Sequence, residues 1–186
     1  MKRLDPLPIT LRAADEGDMA AIAAIYAVHV RTGTATFELD APDTAEMTRR
    51  WREITTARLP YLVAVLGSDV IGYAYAAAYR PRPAYRFTIE DSIYVRGDAH
   101  GRGVGRALLA ELIGLGERAG ARQMVAVIGD AANVGSIRLH AALGFRQVGV
   151  LASVGYKFAR WIDVVLMQRA LGRGDGVLDA GEARNG

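Results

Sequence analysis

The stretch His100-Gly101-Arg102-Gly103-Val104-Gly105-Arg106 lies between two segments of different periodicity, and it decides which fold the sequence can form. Residues 87–95, which precede it, are rich in β-branched and aromatic side chains, as a strand requires. Residues 104–115 carry large apolar side chains at spacings of three and four, which predicts a helix. A strand that turns through glycines into a helix presents unpaired backbone N–H groups and the positive end of a helix dipole. The stretch therefore predicts an anion-binding loop built from backbone.

The spacing of the glycines limits which anion-binding motif this loop can be. A P-loop requires Gly-Lys followed by Ser or Thr, whereas Gly105 is followed by Arg106 and Ala107. The dinucleotide fingerprint requires a third glycine where this sequence has Arg106. Both common nucleotide motifs are therefore excluded. From the loop alone, an ordinary glycine-rich turn between a strand and a helix stays an open alternative.

The composition indicates one globular domain and excludes several kinds of chemistry. The chain has 186 residues, of which 51% are hydrophobic and 23% are charged, as expected for a single core. It contains no cysteine, which excludes disulfides, thiolate metal sites and a cysteine-bound acyl intermediate. Its three histidines lack a paired metal-ligand spacing, so no metal is expected. The net charge of +3 is small and the arginines are dispersed, which argues against nucleic acid as a partner.

The two ends of the chain add expectations about location and order. Residues 1–8 are too short and too polar for a signal peptide, and the chain has no apolar run of about eighteen residues. These features predict a cytoplasmic protein without membrane contact. From Gly172 onward, glycine, alanine and charged residues replace the large apolar ones. Residues 1–171 are therefore expected to form the domain, and residues 172–186 a disordered tail.

The pattern before the glycine loop predicts a strand, two helices and a hairpin. A short strand at residues 9–12 precedes a helix that Asp15 caps and that ends near Gly33. Asp43 with Glu46 has the form of a capping box and opens the second helix. Two strand-like runs then flank a Gly-Ser-Asp turn, which predicts an antiparallel hairpin. These two runs are at 61–66 and 70–79.

The pattern after the loop completes an α/β fold with a sheet of mixed direction. The unbroken apolar run at residues 124–128 predicts a central strand beside the strand that ends at Val95. A helix and two strands are predicted to follow, at 133–143, 145–151 and 156–167. Two strand-to-helix crossovers place a ligand where the central strands diverge, outside their carboxyl ends.

Four segments resemble the GCN5-related N-acetyltransferases (GNAT). The loop is similar to their pyrophosphate loop, in which Gln or Arg precedes two residues, Gly, one residue and Gly or Ala, except that His100 stands first. Residues 133–145 are similar to their segment that begins with Asn and ends with Leu-Gly-Phe. Within the superfamily, Glu90, the Arg-Leu-His at 138–140 and residues 155–163 resemble the phosphinothricin and methionine sulfoximine acetyltransferases.

This resemblance spans about residues 9–171 and implies a fold, a cofactor and a set of site residues. It implies the GNAT fold, a mostly antiparallel sheet that is splayed at the cofactor site and flanked by helices. It implies acetyl-CoA as the acetyl donor, a small-molecule amine as the acceptor, no metal, and a homodimer. The expected cofactor-binding residues are Ile93, Tyr94, Val95, Gly101, Arg102, Gly103, Val104, Gly105, Arg106, Asn133 and Ser136. The expected substrate-binding residues are Phe37, Arg82 and Tyr85.

The resemblance also implies two catalytic residues, Glu90 and His140. An amine with a pKa of about 10 is protonated at neutral pH, and freeing it costs about 4 kcal/mol, so the reaction benefits from a base. Glu90 matches the family's proposed base, and a salt bridge to Arg82 or Arg86 is its structural alternative. His140 stands where many relatives have a tyrosine that protonates the leaving thiolate, and the roles of acid, base and structural partner stay open. Asp91 is expected to face away from Glu90, because side chains alternate along a strand.

The function predicted in this way is transfer of an acetyl group to the α-amine of a small amino acid analogue by direct attack. Methionine sulfoximine, methionine sulfone and phosphinothricin are the expected substrates. One alternative is another amine, on a polyamine, an aminoglycoside or a protein N-terminus, although the arginines within residues 80–86 argue against cationic substrates. The other alternative is a non-catalytic acyl-CoA sensor, which the presence of both Glu90 and His140 argues against.

Overall fold

A seven-stranded sheet with helices on both faces forms the body of the protein. The computed structural model describes residues 8–177. The strands are β1 (Thr10–Ala13), β2 (Tyr61–Leu66), β3 (Asp69–Ala78), β4 (Thr88–Val95), β5 (Gln123–Gly129), β6 (Arg146–Lys157) and β7 (Arg160–Ala170). The helices are α1 (Met19–Thr32), α2 (Thr44–Thr56), α3 (Val104–Arg118) and α4 (Val134–Ala142). The sheet order is β1-β2-β3-β4-β5-β7-β6, and only the β4–β5 pair is parallel, which confirms the predicted mixed sheet.

Most helix ends lie where the sequence signals place them, but Asp15 caps a single 3-10 turn at residues 16–18, and α1 begins only at Met19. The side chain of Asp43 accepts the backbone N–H of Glu46 and caps α2. Gly33 follows the last residue of α1, and α3 begins directly after Gly103. Gly67 adopts a left-handed conformation, with φ of 62°, in the predicted hairpin turn between β2 and β3. These local signals therefore fix the boundaries of most elements.

Each face of the sheet has its own core. The leucines of α3 pack on one face, together with Met124, Phe145 and Met167. On the other face α1 packs over buried tyrosines of β2, β3 and β4. Alternation along β4 sends Tyr94 toward α1 and Ile89 toward α3. Even-numbered residues of β4 therefore face α1 and α2, whereas odd-numbered residues face α3 and α4.

The parallel pair β4–β5 separates before either strand ends. Its last paired residues are Asp91 and Ala126, although β4 continues to Val95 and β5 to Gly129. A gap therefore opens between the carboxyl ends of the two strands. The glycine loop and α3 follow β4 on one side of this gap, and α4 follows β5 on the other. This is the position at which the sequence predicted ligand binding.

The boundary between the last two strands differs from the prediction. Residues 156 and 157 belong to β6, and the chain turns at Phe158 and Ala159, which both have positive φ angles. The predicted break near residue 152 is a bulge inside β6, where the register shifts between Leu151 and Gly155. The apolar pattern is interrupted there without ending the strand. In addition, β7 inserts between β5 and β6, so the second crossover skips one position in the sheet.

The first residues of the predicted tail are folded against the domain. Arg122 is buried, and its guanidinium donates to the carbonyl oxygens of Gly174 and Gly176 at 2.9 and 2.8 Å. The rest of the predicted tail, from residue 178, and most of the N-terminal leader lie outside the described residues. Between residues 8 and 177, no helix is long and apolar enough to cross a membrane. The predicted cytoplasmic location stays a prediction.

Candidate active site

The gap between β4 and β5 is lined by backbone groups of β4. The N–H of Arg96 donates to the carbonyl of Ile71 on β3 at 2.8 Å, so by alternation the backbone groups of Val95 and Ile93 face away from β3, toward β5. Since pairing with β5 has ended at Asp91, these groups have no strand partner. They can pair with an extended ligand that lies in the gap.

Tyr94 is placed differently from its two neighbours. It is paired with Tyr73 of β3, and its backbone groups face that strand and not the gap. Its side chain is buried against α1, where its ring lies 4.9 Å from the ring of Tyr26. The expectation that Tyr94 offers its backbone to the cofactor therefore does not fit the register of the sheet.

Two histidines converge on the carbonyl of Val95. The Nε2 atom of His29, from α1, lies 3.0 Å from this oxygen, and the Nε2 atom of His100, from the glycine loop, lies 2.9 Å from it. A carbonyl only accepts, so both Nε2 atoms carry the hydrogen. Burial lowers the pKa of His29, which favours its neutral form. No sequence motif predicts that His29 reaches the gap.

The glycine loop has the geometry of an anion site. Gly101 and Gly103 have φ angles of 71° and 86°, in the left-handed region that favours glycine. Apart from the flanking residues, no atom of the described chain lies within 4 Å of the place where a side chain on either glycine would begin, so the approach to the loop is open. The N–H groups of the first turn of α3 face this approach, and Arg106 is exposed beside it. The fifteen-residue α3 therefore presents its positive end to any phosphate bound there.

The opposite rim of the gap is the start of α4. The side-chain oxygen of Asn133 accepts the N–H of Ser136 at 3.2 Å and caps the helix. The Ser136 hydroxyl lies 3.4 Å from Nδ1 of His140, one turn further along. The structure thus places Asn133 and Ser136 directly after β5, across the gap from the glycine loop.

Glu90 lies on the sheet face that α1 and α2 cover, and it is only half-buried. It forms no ion pair with any residue of the described chain, so the alternative salt bridge to Arg82 or Arg86 is absent. Burial and, next, the charge of Asp91 raise the pKa of Glu90, while Arg80 lowers it. A carboxylate with a raised pKa and no fixed partner can accept a proton.

Asp91 faces the other side of the sheet, as predicted from alternation, and is sealed against His140. The two side chains are 2% and 4% exposed, and Oδ2 of Asp91 lies 3.0 Å from Nε2 of His140. The second carboxylate oxygen, Oδ1, is buried and has no hydrogen-bond partner within residues 8–177. Nδ1 of His140 lies 2.8 Å from the carbonyl oxygen of Ser136. The pair therefore joins β4 to α4 beneath the point where the strands separate.

The two contacts of His140 fix where its protons lie. The Ser136 carbonyl only accepts, so Nδ1 carries a hydrogen, and a second hydrogen must lie between Nε2 and the Asp91 carboxylate. Burial lowers the pKa of His140, but the hydrogen bond and charge of Asp91 outweigh that effect and raise it overall. Both ring nitrogens are then donors with acceptors already in place. His140 has no free nitrogen with which to take a proton from a substrate.

The predicted substrate-binding residues lie at two separate places. Phe37 is 38% exposed, in the connection between α1 and α2. Arg82 and Tyr85 are exposed in the connection between β3 and β4, where the Tyr85 ring lies 5.8 Å, edge-on, from the ring of Tyr79. Among the arginines of that connection, Arg80 is the one whose charge acts on Glu90. The sequence analysis assigned no role to Arg80.

A buried tyrosine cluster lines the same face as Glu90. The centroids of neighbouring rings lie within the range usual for aromatic pairs. The members of the cluster are Tyr26, Tyr61, Tyr73, Tyr75 and Tyr94. Burial raises the pKa of Tyr75, which is paired across the strands with Ser92, two residues along from Glu90. The hydroxyls of Tyr61 and Tyr73 are buried and have no hydrogen-bond partner in the described part of the chain. No group of side chains within residues 8–177 is suited to holding a metal ion.

Comparison with known proteins matches both the fold and the sequence. The acetyltransferase (GNAT) domain family matches residues 11–166. A phosphinothricin N-acetyltransferase of Alcaligenes faecalis is 56% identical over 91% of this chain and 86% of its own length. An L-methionine sulfoximine/L-methionine sulfone acetyltransferase of Salmonella typhimurium is 38% identical over 88% of this chain and 95% of its own.

Solved structures agree with the sequence relatives. A phosphinothricin acetyltransferase of Sinorhizobium meliloti in complex with acetyl-CoA superposes with a TM-score of 0.91, at 46% identity, over 95% of this chain and 96% of that one. A putative acetyltransferase of Salmonella typhimurium with acetyl-CoA superposes with a TM-score of 0.88, at 37% identity, over 92% and 98% of the two chains. The chain therefore belongs to the GNAT acetyltransferases and, within them, to the phosphinothricin and methionine sulfoximine N-acetyltransferase family.

Proposed function

We propose that the protein transfers the acetyl group of acetyl-CoA to the α-amine of a small amino acid analogue of the methionine sulfoximine, methionine sulfone or phosphinothricin type. The observation that carries this proposal is Glu90, a half-buried carboxylate without an ion-pair partner in the described chain, on a strand whose end opens into the cofactor gap. The relatives whose names give these substrates cover nearly the whole chain.

The reaction requires a base, a place for the developing negative charge and a route for the proton. The amine nitrogen attacks the thioester carbon, and the carbon–sulfur bond then breaks to release the thiolate. Glu90 accepts the amine proton, directly or through water, because its raised pKa and open position suit a general base. Backbone N–H groups of Ile93 and Val95 face the gap and can stabilise the oxyanion there.

Acetyl-CoA would supply the activated acetyl group, and the residues at the gap fit it. The backbone groups of Ile93 and the N–H of Val95, which pair with no strand within residues 8–177, suit the amides of the pantetheine arm, whereas the Val95 carbonyl already accepts from His29 and His100. The pyrophosphate would lie on the glycine loop, where the open approach and the left-handed glycines expose helix N–H groups. Asn133 and Ser136 would approach the arm from α4. The loop residues proposed for this contact are Gly101, Arg102, Gly103, Val104, Gly105 and Arg106.

His140 is proposed as a proton donor or positioning residue and not as the base. Its ring nitrogens both donate to acceptors, and Asp91 raises its pKa, so it carries a proton that it can release. A role in protonating the leaving thiolate agrees with this charge state. Either proton transfer would require one of its two hydrogen bonds to break, and a role in accepting the amine proton would also require His140 to lose a proton first.

The acceptor is proposed to carry a carboxylate as well as an amine. Arg82 and Tyr85 are exposed and free to reach a ligand, and an arginine fork can bind both oxygens of a carboxylate. The partly exposed ring of Phe37 would cover the side chain of the acceptor. Three arginines within residues 80–86 disfavour polyamines and aminoglycosides.

We also infer that a second copy of the chain covers the β6–β7 hairpin. β6 is an edge strand, and most of the large exposed side chains of the β6–β7 hairpin are apolar, with Tyr156 of β6 58% and Trp161 of β7 63% exposed. The further exposed members are Val148, Val150, Leu151, Val154 and Phe158. Trp161→Asp should convert a dimer into a monomer in light scattering, whereas a wild-type chain that elutes as a monomer at micromolar concentration would contradict the inference.

The proposed activity is tested by following thiol release from acetyl-CoA with a panel of acceptors. The panel contains methionine sulfoximine, methionine sulfone, phosphinothricin, spermidine, an aminoglycoside and a peptide amine. Turnover confined to the first three supports the proposal. Turnover only with a cation or a peptide would overturn the substrate class. Tight acetyl-CoA binding without any turnover would favour a sensor.

A further inference from the structure

We propose that Lys157 is a positioning residue that holds the substrate-binding loop of residues 33–38, and with it Phe37, in place. This inference rests on the proposed function for its effect on the acceptor. Its structural part, the fixing of the loop by Lys157, stands on contacts within the chain alone.

Lys157 joins two distant parts of the chain through its ammonium group. It lies at the end of β6 and is 4% exposed. Its Nζ atom donates to the carbonyl oxygen of Gly33 at 3.0 Å and to that of Thr36 at 2.9 Å. The two carbonyls lie on either side of the bend in the 33–38 loop, directly before Phe37. The ammonium therefore fixes the loop's main chain and not merely one side chain.

Two glycines allow the loop to lie this close to the sheet. A side chain on Gly155 would begin 2.4 Å from ring atoms of Phe37, and one on Gly129 would begin 2.2 Å from the carbonyl oxygen of Thr34. Neither position accepts a side chain without movement, which would displace the Phe37 ring at Gly155 and the main chain of the loop at Gly129. Gly155 and Lys157 are two apart on β6, so they face the same side and form one seat for the loop.

Most other contacts of the loop are made by its side chains, and within residues 8–177 Lys157 is the residue that bonds the carbonyls of Gly33 and Thr36. The hydroxyl of Thr34 donates to Asp130 at 3.0 Å, and the Tyr26 hydroxyl lies 2.7 Å from that of Thr36. Glu38 accepts from Arg50 at 2.6 Å. Because the side chains are anchored separately, loss of Lys157 should loosen the loop without unfolding α1 or α2.

A lysine suits this position better than the arginine that the rest of the chain uses. The sequence contains only two lysines, Lys2 and Lys157, against twenty-one arginines. A compact ammonium fits between two carbonyls in a buried seat, whereas a planar guanidinium needs more room. Burial lowers the pKa of Lys157, and the charge of Glu38 offsets only part of that effect. The neutral amine would still have two N–H groups for the two carbonyls.

The direct test measures hydrogen exchange and kinetics of Lys157→Met beside a matched control, Arg146→Met, on an exposed residue of the same strand. Lys157→Met should speed amide exchange within residues 33–38 and leave that of β4 and α3 unchanged. It should raise KM for methionine sulfone about tenfold, as expected for the loss of one or two hydrogen bonds, and change the Kd of acetyl-CoA less than twofold. Arg146→Met should change none of these quantities.

Gly155→Ala tests the same contact between β6 and the loop, at the Phe37 ring. It should raise KM for the acceptor as Lys157→Met does, and a Phe37→Leu substitution in the Gly155→Ala background should restore part of the loss, because the smaller side chain relieves the overlap. If Lys157→Met fails to fold, Gly155→Ala and Lys157→Arg decide the question through the same exchange measurement.

The outcomes separate this inference from the proposed function. Unchanged exchange in residues 33–38, or an equal rise in KM for acceptor and in Kd for acetyl-CoA, would overturn the positioning role. If the wild-type protein acetylates no acceptor in the panel, the proposed function fails, and the exchange comparison still decides whether Lys157 holds the loop.

Discussion

Glu90 and Asp91 are adjacent carboxylates with opposite surroundings. Glu90 faces α1 and α2, is half-buried and forms no ion pair within residues 8–177. Asp91 faces α3 and α4, and its side chain is 2% exposed and bonded to His140. One step along a strand therefore separates a carboxylate that can exchange a proton with a ligand from one that is locked into the fold. We therefore assign the catalytic role to Glu90 and a structural role to Asp91.

The largest effect should follow from Glu90→Gln. The substitution keeps the size of the side chain but removes its ability to accept a proton, so kcat at neutral pH should fall by about 10²- to 10⁴-fold. The Kd of acetyl-CoA and the Tm should stay near the wild-type values, because Glu90 holds no other residue in place. Isothermal titration and a thermal melt serve as the controls. A kcat within a factor of three of the wild type would assign the base elsewhere.

Asp91→Ala should instead reduce stability. It leaves the His140 ring buried and without its charged partner, and breaking a buried pair of this kind costs about 3 kcal/mol or more. Urea unfolding monitored by tryptophan fluorescence measures the loss. Equal free energies of unfolding for the variant and the wild type would show that the buried pair does not hold β4 to α4.

A smaller effect is expected in the pH dependence of stability. Because the folded-state pKa of His140 is raised above 6.5, its stabilising contribution is complete below that pH and is lost as the pH rises through the raised value. Asp91→Asn can still donate a hydrogen bond to Nε2 of a neutral ring, so it should remove this slope while costing less than Asp91→Ala. Unfolding free energies at several pH values, compared between wild type and Asp91→Asn, check the difference. Parallel curves would contradict the assigned proton.

The smallest effect should come from Arg80→Ala, which acts on Glu90 from a distance. Arg80 lowers the pKa of Glu90, so its removal should raise that pKa. The acid limb of the pH profile of kcat should therefore shift to higher pH. Arg86→Ala, in the same connection, is the matched control and should leave the limb in place. A limb that moves equally in both variants would indicate a general charge effect and not a specific one.

Much of the fold could be predicted because its signals are local. The caps at Asp43 and Asn133, the hairpin turn at Gly67 and the glycine loop each fix a boundary, and the apolar run of β5 fixes its central place. The bulge in β6 was misjudged, because Ser153 interrupts the apolar pattern in the way that a turn does. Only the pairing with β7 distinguishes a bulge inside one strand from a turn between two strands.

The site was predictable where a motif marks it and not where contacts are long-range. Alternation along β4 alone separates Glu90 from Asp91. No sequence pattern connects His29 to the carbonyl of Val95, 66 residues away, or Lys157 to the carbonyl of Gly33, 124 residues away. These partners meet because the sheet and α1 are packed together, which is a property of the whole fold.

The most direct test of the central claim is the pH profile of kcat, from about pH 4 to about pH 9, at saturating acetyl-CoA and methionine sulfone, for wild type and Glu90→Gln. The wild-type kcat should fall with decreasing pH through a midpoint above 4.5, because the carboxylate with the raised pKa must be ionised to act as the base. Glu90→Gln should lack this midpoint and regain rate only at high pH, where the amine loses its proton without help. The same midpoint in both proteins would contradict the assignment of Glu90 as the base.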